Sequence, residues 1–78
     1  MSNRTAEIQQ ILSSEDDEFR KWIEEHHECE SRQSELSVKR EVTVDEELEE
    51  KTLKKRKLHL KDQMAERIRS YESQHAVA

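Results

Sequence analysis

The run Glu24-Glu25-His26-His27-Glu28-Cys29 gathers the side chains best able to do chemistry. On a helix, Glu24 and His27 stand at i, i+3, the spacing by which carboxylate-bridged di-iron proteins present ligands, and His26 with Cys29 at the same spacing matches half of a tetrahedral zinc site. A dimer would double either set. A di-iron centre, however, needs inward-pointing acids from all four helices of a bundle, and the stretch expected to face this run, Lys51 to Ala65, offers only Asp62. His26 is therefore read as a packed core histidine, and no metal ligand is assigned. Thiol redox chemistry meets a similar obstacle. The chain has one cysteine, so Cys29 has no resolving partner and no internal disulfide can form. With no glycine there is no Gly-rich phosphate loop, no nucleophile stands on a strand, and two helices enclose no deep pocket. The expectation is a protein that is not an enzyme, with no catalytic residue and no cofactor.

A second chemical signal is basic. Lys51, Lys54, Lys55, Arg56, Lys57 and Lys61 fall within eleven residues and could neutralise several phosphates of a nucleic acid. On a helical wheel they spread around most of the circumference, the run holds no aromatic for base stacking, and the chain as a whole carries a net charge of −5. Nucleic-acid binding through these six residues is the alternative reading of function, and a nucleic-acid partner is not the one favoured.

These residues must be positioned by helices. Gly and Pro are both absent, which removes the usual chemistry of tight turns and hairpins, so the fold class is all-α. The first apolar stripe is Ile8, Ile11, Leu12, Phe19, Trp22, His26, Cys29, Gln33 and Leu36, flanked by Ile23. From Phe19 onward its steps alternate three and four, a coiled-coil rhythm. Ser13-Ser14-Glu15-Asp16-Asp17 interrupts it with N-cap residues and early acids. The expected first helix covers about 6–38, either continuous or broken at 13–16 after a short leading helix. A link over 39–43 leads to Thr43-Val44-Asp45-Glu46, a capping box. The second helix covers about 44–73 with the stripe Leu53, Lys57, Leu60, Met64, Ile68 and Tyr71, the Lys57 stem lying along the seam while its amine reaches water. The tail 74–78 should fray.

Charge order favours one way of bringing the segments together. If the chain folds back within residues 38–42, residue i lies opposite roughly 81 − i. Residues 15–30, with eight acids and two bases, then face residues 51–66, with six bases and two acids. Exposed pairs contribute at most about 1 kcal/mol each, so the pattern sets register and orientation. The expectation is an antiparallel two-helix hairpin forming a single domain, 1–78. With 31% apolar and 42% charged residues its core is thin. Leu48, Leu58 and Ala65 lie outside the main stripe, on a second face that another copy could bury, which predicts a homo-oligomer, most simply a dimer packed as a four-helix bundle. No secretory signal opens the chain, no stretch approaches the roughly 18 apolar residues of a membrane span, and the acidic polar face of the first helix would be repelled by anionic lipid. A cytoplasmic protein with no membrane partner, acting by binding an unidentified protein, is expected.

The stretch Leu53-Lys54-Lys55-Arg56-Lys57-Leu58-His59-Leu60-Lys61-Asp62, followed by Gln63-Met64, is similar to the run L-K-K-x-K-L-x-L-K-D of the YdcH-like family of small bacterial proteins of unknown function. Phe19, Ile23-Glu24-Glu25-His26 and Thr43-Val44-Asp45-Glu46 extend the resemblance, which covers roughly Arg4 to Glu72. Cys29 and Gln33 depart from it, standing where Leu and Ile are expected, and Trp22 is bulkier than the usual aliphatic. The resemblance implies a small helical hairpin and no chemical activity.

Overall fold

The computed structural model describes residues 3–75, and among these there are three helices and no strand: α1, Asn3–Glu15; α2, Asp17–Ser37; and α3, Val44–Gln74. The interruption falls on a single residue. Asp16 adopts an extended conformation, φ −111° and ψ 107°, and its carboxylate accepts from the N–H groups of Glu18 and Phe19 at 3.0 and 3.1 Å. It thereby satisfies two of the four free donors at the start of α2, while Asp17 and Glu18 add negative charge where the helix dipole favours it. At α3 both halves of the capping box form. The Thr43 hydroxyl accepts from the Glu46 N–H at 3.1 Å, and the Glu46 carboxylate accepts from the Thr43 N–H at 3.0 Å. The link between α2 and α3 turns without any positive φ.

The three helices make a body of 55 × 26 × 16 Å. Both stripes face inward. Ile8, Leu12, Phe19, Cys29, Leu36, Leu60 and Ile68 are buried, with Phe19 fully enclosed, and Trp22, Ile23, Met64 and Tyr71 pack around the cluster of Ile8, Leu12, Phe19 and Ile68. Hydrophobic burial of this kind stabilises by about 1.5–3 kcal/mol for each large side chain. Cross-helix ion pairs show how α3 returns alongside α2. Arg32 holds Glu49 at 2.7 Å, Arg56 lies 3.6 Å from Glu25, and Arg67 pairs with Asp16, residue numbers that add to 81, 81 and 83.

α1 departs from a straight continuation of α2. Its Arg4 lies 3.6 Å from Glu72, whereas Asp16, just beyond its other end, meets Arg67. Twelve helical residues rise about 18 Å, but five residues of α3 span less than half of that, so α1 crosses α3 at a steep angle. The bend at Asp16 is the physical reason. α1 also begins at Asn3, earlier than residue 6, and α3 runs to Gln74; residues 76–78 of the expected tail lie outside the described residues.

Candidate functional site

The outer face of α3 carries the residues singled out as an interaction surface. Leu48 and Leu58 are 57% and 62% exposed, Ala65 is exposed, and Val44, 72% exposed, extends their line. Val44, Leu48, Lys51, Lys55, Leu58, Asp62 and Ala65 succeed one another by alternating steps of four and three, so a single seam runs along the side of α3 facing away from α2. Ala65 also borders a shallow groove of about 340 Å³ with Thr5, Gln9, Met64 and Ile68, where α1 crosses α3.

The basic run divides into two sets. Lys57 is half-buried: its ammonium donates to Gln33 Oε1 at 2.9 Å and lies 3.6 Å from Glu30, so its amine is held by α2 where open water was expected. The bond also accounts for the polar Gln33 in the stripe, half-buried with its carbonyl oxygen occupied. Arg56 is drawn toward Glu25. Lys51, Lys54, Lys55 and Lys61 are exposed and form no ion pair among the described residues.

The His/Cys run does not assemble into a ligand set. Among the described residues no three His, Cys, Asp or Glu side chains converge as metal ligands would. Cys29 is buried at a stripe position, where a thiol packs as a small apolar group. His26 is half-buried with Nδ1 3.4 Å from Glu30, its Nε2 is buried without a protein partner, and His27 faces outward.

The node of greatest density is one that composition and spacing had not marked. Arg67 grips Asp16 and Glu18 together and lays its guanidinium 4.9 Å from the centroid of Trp22, which meets Phe19 edge-on at 6.3 Å. Asp16 is held below the usual carboxylate range by the Phe19 N–H and then by Arg67, while Arg67 is raised by its bonds to Glu18 and Asp16. A signal was available in the sequence: the rule pairing i with about 81 − i places Asp16 opposite Ala65, two residues from Arg67. The node ties the junction of α1 and α2 to α3, and its bonds are all internal.

Near the link the geometry is again electrostatic. Lys39 bonds Glu46, and with the Thr43 N–H it brings the Glu46 carboxyl down to about 2. Arg32 holds Glu49 with two hydrogen bonds, at 2.7 and 2.9 Å, lowering its carboxyl, and also reaches Glu35 at 3.0 Å.

A family described as a protein of unknown function (DUF465) matches residues 19–68. The chain belongs to this family, the YdcH-like proteins. Comparison with curated proteins and with solved structures found no significant match. No helix among the described residues is long and apolar enough to cross a membrane.

Proposed function

We propose that this protein is an antiparallel helical hairpin, closed at one end by α1, that self-associates through the outer face of α3 and serves in the cytoplasm as a non-catalytic protein-interaction module. The observation that carries the reading is the exposed row Val44, Leu48 and Leu58 at coiled-coil spacing on the side of α3 turned away from its own core. Meeting a second α3 in the opposite direction, Leu48 can face the partner's Ala65 and Lys51 the partner's Asp62, while Leu58 meets the partner's Lys55, whose methylene stem can cover it as its amine reaches water. Because the seam lies opposite the face that packs on α2, two hairpins joined in this way set four helices side by side, α2 and α3 against the partner's α3 and α2, where a closed four-helix bundle was expected; the α3 pair wraps left-handed. The outward side of each α2 is left for a further protein.

The exposed set Lys51, Lys54, Lys55 and Lys61 favours a second reading, nucleic-acid binding, over which the first is preferred because Arg56 and Lys57 are engaged with α2 acids and Leu48 and Leu58 flank Lys51 and Lys55 in the same seam. Sedimentation velocity over a range of concentration tests the proposal. The parent should move toward dimer as concentration rises, and Leu48→Glu with Leu58→Glu should weaken that association at least several-fold while keeping its helical circular dichroism. A parent that remains a monomer at tens of micromolar, or micromolar affinity for RNA that falls steeply with salt, would displace the reading.

A further inference from the structure

The break between α1 and α2 rests on one residue, Asp16, whose φ of −111° and ψ of 107° both lie outside the helical range. Helical hydrogen bonding runs through it on both sides, with the Asp16 N–H on the Leu12 carbonyl at 2.8 Å and the Arg20 N–H on the Asp16 carbonyl at 3.1 Å. Turning Asp16 from φ −111° and ψ 107° to about −63° and about −42° would give helical bonds to the N–H groups of Asp17, Glu18 and Phe19 and merge α1 with α2 into one helix. No Gly or Pro obstructs that. What α1 covers is equally telling. The family match runs from Phe19 to Ile68, and these two residues lie in the cluster that Ile8 and Leu12 complete. The matched residues build the apolar groove, and a segment outside the match fills it.

We propose that α1 is exchanged between two copies of this chain: with Asp16 helical, α1 projects about 20 Å beyond α2 and seats Ile8 and Leu12 in the groove of a second copy, which returns its own α1. Every groove contact of the bent monomer is remade in the exchanged dimer. The two forms differ only in the Asp16 cap and the Arg67 grip, set against the added helical bonds, so protein concentration selects between them. This inference rests on the self-association proposed above but uses a different surface, and the two can fail separately.

Arg4 and Glu72, 3.6 Å apart across the groove, provide the readout. In full-length chains carrying Cys29→Ser, one copy takes Arg4→Cys and a heavy-isotope copy takes Glu72→Cys. The two are mixed and treated with a short bis-maleimide. Exchange predicts a light-heavy cross-linked dimer, increased several-fold when Asp16→Ala removes the cap from both copies, and retained when Leu48→Glu and Leu58→Glu disable the outer face. A single chain carrying both Arg4→Cys and Glu72→Cys reports the bent form as an intramolecular link at high dilution. A dimer by sedimentation whose link stays within one chain overturns exchange and leaves the outer-face contact standing. A chain that remains 9.4 kDa at every concentration overturns both.

Discussion

The two ends of the molecule are held by different physics. At the end covered by α1, three helices enclose Ile8, Leu12, Phe19 and Ile68, with Trp22, Ile23, Met64 and Tyr71 around them. At the link end only α2 and α3 meet. Leu36 is buried there, and the rest of the joint is Arg32 with Glu49, Lys39 with Glu46, and the capping box at Thr43. Apolar burial is strong and indifferent to salt, whereas half-exposed ion pairs contribute little and are screened. Stability should therefore be concentrated at the covered end, with the link end setting register and responding to pH and salt.

The sharpest way to break that contrast is Phe19→Ala. Emptying a fully enclosed aromatic site costs about 3–5 kcal/mol, a large part of the roughly 5–15 kcal/mol that holds a domain folded. Circular dichroism should show a large loss of helix at room temperature; a melt equal to the parent's would mean the cluster does not carry the fold. Next in size is Thr43→Ala at the link. Loss of an N-cap hydroxyl costs about 1 kcal/mol and should lower the melting temperature by about 4–8 °C in a chain of this length.

Acid should act on the charged end in a defined window. Glu46 is lowered from 4.5 to about 2, and Glu49 is lowered as well. A depressed carboxyl contributes stability that is present above its ordinary value and lost as pH falls through its folded value, so melting temperature should fall between about pH 4.5 and about pH 2. Glu46→Gln should flatten that slope. Asp16, also lowered, adds a contribution from the covered end, and Asp16→Asn measures it separately. The smallest effect is expected from Lys54→Gln with Lys55→Gln, both exposed. Stability should change by no more than about 0.5 kcal/mol, and filter binding should detect no RNA for either parent or variant at physiological salt.

Much of this contrast was legible in the residues. The stripe positions mark the interior, because a period of 3.6 leaves little freedom in which face is apolar, and Thr43 to Glu46 marks the start of α3 because the capping box satisfies two donors at a fixed spacing. The partners of α1 were legible, since pairing i with about 81 − i lays Ile8 and Leu12 beside Ile68 and Tyr71, where they pack; the bend that takes α1 there was not. Ser13 to Asp17 can cap a helix or lie within one, and the difference is the conformation of Asp16 alone, decided by Arg67 and the apolar groove, both distant in sequence. Gln33 and Lys57 read singly as a polar fault and a snorkelling amine; their bond is a tertiary event that periodicity does not encode. Function was the least legible, since an exposed row such as Leu48, Leu58 and Ala65 carries no reactive group to identify a ligand or a partner.

Native-state hydrogen exchange, resolved by residue, tests the two-ended account most directly. The amides of Phe19 to Ile23 and Met64 to Ile68 should exchange slowest, at the rate of global unfolding, while those of Glu35 to Ser37 and Glu47 to Glu49 should open earlier and faster still in high salt. Uniform protection along α2 and α3, or slowest exchange beside the link, would contradict it.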